Sequence, residues 1–114
     1  MMTFADYDKA AEIFAVYPGS GTSNLTAVIY TALGLTGEAG EFADKIKKIM
    51  RDSQMTITEE RRTSLIAELG DVLWYLSRAA QELDVSLDEV AYQNIQKLES
   101  RQARGTINGD GDDR

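Results

Sequence analysis

Apolar residues recur at helical rather than alternating spacing along most of the chain, and short stretches rich in Gly, Pro, Ser and Thr cut that pattern into four pieces. The first piece, from about Thr3 to Val16, places Phe4, Tyr7, Ala11 and Phe14 three or four residues apart. It stops before Tyr17-Pro18-Gly19-Ser20-Gly21, because a residue preceding proline resists the helical region. A second helix, capped by Ser23 or Asn24, runs to about Arg51 with Leu35, Phe42, Ile46 and Ile49 as its apolar stripe. Asp52 to Thr58 forms a connector, and Thr58, or Thr56 paired with Glu59, opens a third helix that extends to about Leu83 over Leu65, Leu69, Val72 and Leu76. Ser86 and Glu89 have capping-box spacing at the head of a fourth helix, Leu87 to about Arg104, which Gly105 ends. The polar, Gly-rich residues 105–114 read as a flexible tail. The expected fold is all-α, a four-helix bundle-like single domain over residues 1–114.

Composition narrows the chemistry. With 114 residues, the chain suits one domain. It has no Cys and no His, so disulfides, thiol or imidazole nucleophiles and the usual zinc ligand sets are excluded. A formal charge of -7 opposes general binding to a nucleic-acid backbone. No stretch is long and apolar enough to span a membrane and no targeting segment stands at the N-terminus, so a cytoplasmic protein is expected. Catalysis, if present, falls to carboxylates, hydroxyls, Lys, Arg or a hard cation.

The acids supply a candidate. Glu38 and Glu41 stand three residues apart among Gly34, Gly37 and Gly40, and Glu68 and Asp71 repeat that spacing around Gly70. At about 100° per residue, both pairs fall beside the apolar stripe of their helix, on the same side. If the second and third helices are antiparallel neighbours, the four carboxylates can meet at the edge of the core. The alternative is that each pair is a solvated helix edge, with Glu41 paired to Lys45 one turn on. Convergent carboxylates repel and require a counter-ion, and without His that ion is best Mg²⁺, with Mn²⁺ as the other choice. Such an ion acts on phosphates, whose remaining oxygens call for Lys or Arg; Lys45 and Lys48 lie near Glu41, and Lys97 and Arg101 share a face with Asn94. Each glycine within the second helix costs about 1 kcal/mol relative to alanine, compensated either by close helix packing or by close approach of a ligand.

Taken in order, Gly37-Glu38-Ala39-Gly40-Glu41, Glu68-Leu69-Gly70-Asp71-Val72-Leu73-Trp74-Tyr75 and Asn94-Ile95-Gln96-Lys97-Leu98-Glu99-Ser100-Arg101 resemble the MazG-like all-α nucleoside triphosphate pyrophosphohydrolases. The resemblance runs from about Tyr17 to the tail. It implies that Glu38, Glu41, Glu68 and Asp71 are Mg²⁺ ligands and that Tyr75, Asn94 and Lys97 contact sugar and phosphates, with Lys45, Lys48 and Arg101 as further phosphate partners. It also implies cleavage of a canonical or modified (d)NTP to a monophosphate and pyrophosphate, assembly as a homodimer or homotetramer, and a tail that could close over phosphates. Gly37 departs from the family pattern, which often has another Glu there. A phosphoribosyl-ATP-type pyrophosphohydrolase and a non-catalytic helical nucleotide-binding protein are the alternatives.

Overall fold

The computed structural model describes residues 1–114 and contains four helices and no strand: α1 (Phe4–Glu12), α2 (Leu25–Asp52), α3 (Glu59–Glu82) and α4 (Leu87–Ala103). Each begins at a side-chain cap. Thr3, Asn24, Thr58 and Ser86 accept from an amide of the first turn, and Thr3 and Asp6 complete a reciprocal capping box. α1 is shorter than its apolar spacing predicts. The chain leaves the helix after Glu12 and turns at Ile13 and Phe14, which are exposed, so that Tyr17 can enter the interior beside Trp74.

The framework is the α2–α3 pair. As the contact positions on α2 fall from Lys45 through Glu38 to Gly34, their partners on α3 rise from Ser64 through Asp71 to Tyr75, so the two helices run antiparallel. α2 passes through its glycines without a break. A Cβ built on Gly34 would come within 2.1 to 2.5 Å of three carbons of the Tyr75 ring, so this glycine permits close packing, whereas Gly37, Gly40 and Gly70 face open space.

α1 and α4 are fastened to α3 largely through polar groups. Both oxygens of the Asp8 carboxylate on α1 are engaged: Oδ1 accepts from the Ser77 hydroxyl at 2.6 Å, and Oδ2 accepts from the Leu87 amide at the head of α4 at 3.0 Å. Arg78, almost fully buried, donates to the Asp8 carbonyl and to Ser77 Oγ, both at 2.8 Å. α4 packs on α1 and α3 but not on α2.

The apolar stripes hold in part. Ala11, Ile49 and Leu65 are buried, and Leu35, Phe42, Ile46, Val72 and Leu76 are half-buried. Phe4, Phe14 and Leu69, expected in the core, are exposed, because a single chain offers no element to cover those faces. The tail is not a free extension. Arg101 donates to the Asp112 carbonyl at 2.8 Å, Arg104 to the Arg114 carbonyl at 2.9 Å and Arg114 to the Thr106 carbonyl at 3.2 Å, which folds residues 105–114 back on the end of α4.

Candidate metal centre

The antiparallel seam brings one carboxylate of α2 against two of α3. An oxygen from each of Glu38, Glu68 and Asp71 lies within 4.8 Å of the others. Glu38 and Glu68 are half-buried and Asp71 is exposed, so the group opens to solvent on one side. One positive charge serves it: the Lys45 ammonium pairs with Glu68 Oε1 at 2.7 Å and donates to the Ser64 hydroxyl at 2.6 Å. The other oxygen, Glu68 Oε2, is buried without a hydrogen-bond partner. Partial burial, followed by the charges of Asp71, Glu68 and Glu41, pushes the Glu38 carboxyl above the ordinary carboxylate range.

An orphaned buried carboxylate oxygen among repelling neighbours is what a cation would satisfy. The donors are all oxygen, with no nitrogen or sulfur ligand, and that set suits a hard divalent ion such as Mg²⁺ or Mn²⁺ rather than a softer metal. The residues present therefore fit the metal that the sequence suggests.

The other candidates divide. Glu41 lies outside the trio, exposed, though its charge reaches Glu38. Tyr75, one turn beyond Asp71, lies against Gly34; burial first, then Tyr30, Glu38 and Asp71, raise its phenol. Lys48 is turned to Asp44 at 2.8 Å, and together with Lys47 it holds that carboxyl down to about 2 through hydrogen bonds. Asn94 and Lys97 border a separate cleft of about 320 Å³ on α4, together with Val90 and Gln93. Arg101 is 5 % exposed and is committed to the tail, so the structure does not bring it to the carboxylates. Two neighbours escaped the sequence reading. Ser64 lies one turn before Glu68 and Tyr30 one turn before Gly34, so the same i, i+4 arithmetic that located the acids reaches both.

The model of the MazG nucleotide pyrophosphohydrolase domain matches residues 28–105, which include the carboxylate trio, Glu41 and the whole of α3 and α4. The chain belongs to this family. Along nearly its full length, the MazG chain is also similar to the Gene 37 protein of Mycobacterium phage L5, at 50% identity over 109 residues, covering 95% of this chain and 96% of that protein. No solved structure matches it. The all-α fold and the carboxylate seam thus accompany a nucleotide pyrophosphohydrolase domain. No helix is long and apolar enough to cross a membrane.

Proposed function

We propose that the chain hydrolyses a canonical or modified nucleoside triphosphate to the monophosphate and pyrophosphate, with a Mg²⁺ ion, or Mn²⁺ in its place, held by Glu38, Glu68 and Asp71. The observation that carries this reading is the trio with its unpartnered Glu68 Oε2, lying inside the segment that matches the pyrophosphohydrolase family. When bound, the divalent ion supplies charge neutralisation at the phosphoryl oxygens and acidifies water. Glu41, adjacent to the trio but outside it, accepts the proton from the attacking water. The water oxygen bonds to phosphorus as the bridging P–O bond between the α and β phosphates breaks. Lys45 exchanges its bond to Glu68 for a phosphate oxygen and, with Lys48, offsets the charge on the pyrophosphate leaving group.

Assembly belongs to the same proposal. The chain exposes 8104 Å², against about 6,200 Å² for a typical monomer of 12.6 kDa, and its radius of gyration is 16.9 Å, against about 13 Å for a compact chain of this length. Leu25, Ile29 and Leu33 form one uncovered face of α2, and Tyr92, Ile95 and Leu98 are exposed on α4. A homodimer or homotetramer covers such faces and gives Asn94 and Lys97 a route to a neighbouring site. The compartment is the cytoplasm, and the -7 charge disfavours nucleic-acid partners.

A panel of NTPs and dNTPs with Mg²⁺, scored for pyrophosphate against orthophosphate, tests the reaction. Pyrophosphate with the matching monophosphate is expected. Orthophosphate as the first product contradicts it, and turnover confined to phosphoribosyl-ATP replaces it with the related reaction on that substrate.

A further inference from the structure

Lys45 stands one turn after Glu41 on α2, the spacing of an ordinary intrahelical pair, yet its side chain crosses the seam to α3. There the ammonium is held at two points one turn apart, by Glu68 Oε1 at 2.7 Å and by the Ser64 hydroxyl oxygen at 2.6 Å. The neighbouring lysines behave differently. Lys47 and Lys48 stay on their own helix, both bonded to Asp44, at 2.9 and 2.8 Å. Lys45 is therefore the ammonium that α2 delivers to the carboxylate trio, and Ser64 is what α3 supplies to receive it beside Glu68.

Charge counting gives this contact a purpose. Three carboxylates meet in the trio and one ammonium offsets one of them, so the centre keeps two negative charges, the number a divalent ion neutralises. Lys45 occupies Oε1 of Glu68 and leaves Oε2 without a partner, so ammonium and ion can share this carboxylate. They also repel each other across it. A unit positive charge within a few ångströms of a divalent site at the edge of solvent lowers its affinity for the bare ion by about tenfold. The same charge attracts an ion that arrives already bound to a triphosphate, because that complex is negative overall. The ammonium is suited to such an exchange: its side chain is 34% exposed, it is a compact charge on a flexible stem, and Glu68 and Ser64 use only two of its N–H groups.

Building on the pyrophosphohydrolase reading, we propose that Lys45, held in place by Ser64, is a built-in counter-ion that makes the centre select the metal–triphosphate complex over the free metal ion. On binding of the complex the ammonium passes from Glu68 to a phosphate oxygen and keeps Ser64 as its pivot, so one charge weakens the hold on the bare ion and strengthens the hold on the substrate. Ser64 touches neither phosphate nor metal. It is a positioning residue, acting through Lys45.

Two probes read this without turnover: Mn²⁺ alone, and the complex of Mn²⁺ with inorganic triphosphate, which carries no base to complicate the comparison. The wild type should bind the complex more tightly than the bare ion in calorimetric titrations. Lys45→Met should bind the bare ion about tenfold more tightly than the wild type and the complex about tenfold more weakly. Opposite signs are decisive, since a structural defect weakens both and a simple phosphate contact moves the complex alone. Lys45→Arg, which keeps the charge, should return both affinities towards the wild type. Ser64→Ala, at a half-buried hydroxyl, should move them in the same two directions as Lys45→Met by about threefold, the lower end for one hydrogen bond, with helicity retained by circular dichroism. Unchanged or weaker binding of bare Mn²⁺ in both folded variants overturns the proposal. So does a Lys45→Arg protein that binds the bare ion as tightly as Lys45→Met, or a wild type that binds it as tightly as the complex. Failure of the catalytic reading is separable: opposite shifts without pyrophosphate release from any nucleoside triphosphate keep the counter-ion and remove the enzyme, and pyrophosphate release with unshifted affinities does the reverse.

Discussion

Helix α3 places two glutamates in opposite circumstances. Glu82, near its end, is almost fully buried, and its carboxylate accepts from the Tyr17 hydroxyl and from the Gly21 and Ser23 amides at 2.8 and 2.9 Å. Burial pushes its pKa up, but those hydrogen bonds and the Arg78 charge outweigh burial and hold it below the usual value. Glu68, near the middle of the helix, has one oxygen on Lys45 and one without a partner, among carboxylates that raise Glu38. A saturated carboxylate fixes a fold, here the loop from α1 to α2. An unsaturated one among like charges reserves binding capacity for a ligand and lowers the stability of the free protein.

That contrast predicts variants with opposite readouts. Glu68→Gln and Asp71→Asn should lower kcat by roughly 10³-fold or more, about 4 kcal/mol in barrier, while leaving helicity intact and the melting temperature unchanged or raised, because repulsion is relieved. Pyrophosphate release measured beside a thermal melt checks both halves. Full activity in both variants would remove the trio from the chemistry.

Glu82→Gln should do the reverse. It removes one of the two carboxylate charges, with that of Asp8, that face buried Arg78, and replaces one of the two accepting oxygens with an amide NH2, so stability should fall by about 3 kcal/mol in urea titrations, with kcat retained wherever the chain is folded. The pH dependence follows from the direction of the shift. Because folding lowers the Glu82 pKa, its stabilisation is fully present above the unfolded value near 4.5 and is lost as pH falls through the lower folded value. The variant should therefore show a flatter acid limb below pH 4.5 than the wild type.

Metal sharpens the comparison at a smaller scale. Mg²⁺ at about a hundred times its dissociation constant should stabilise the wild type by about 2.7 kcal/mol. Glu82→Gln should retain that increment, read as a rise in melting temperature, and Glu68→Gln should lose most of it. An equal rise in both would locate the ion away from the trio.

Much of this was legible in the residues. Caps at Asn24, Thr58 and Ser86 and the periodicity of α2 and α3 fixed three helices to within a residue or two, and angular placement put Glu38, Glu41, Glu68 and Asp71 beside one seam, where all but Glu41 meet. What escaped depends on contacts distant in sequence. The early end of α1 follows from Tyr17 reaching Glu82, and the folding of the tail onto α4 follows from the Asp112 carbonyl accepting from Arg101. Exposure of Leu69 could not be read either, since periodicity gives a residue's side of the helix but not whether another element covers it. The glycine pattern in α2 left packing and ligand approach as equal explanations, and the structure assigns packing at Gly34 while leaving Gly37 against open space.

The smallest predicted effect uses those two glycines to test whether the two kinds of region meet within one helix. Gly34→Ala puts a methyl where the Tyr75 ring lies, so the ring must move and the gain in helix propensity is overridden, for a net loss of about 1 to 3 kcal/mol. Gly37→Ala meets nothing within 4 Å and has no positive φ to lose, so it should gain up to about 1 kcal/mol from propensity alone. Turnover then separates the reasons for retaining a glycine at 37. If Gly37→Ala is more stable and fully active, the position is merely unoptimised. If it is more stable and several-fold slower, with KM raised more than kcat is lowered, the absent side chain is leaving room for the triphosphate, as the unpartnered oxygen of Glu68 leaves room for its metal.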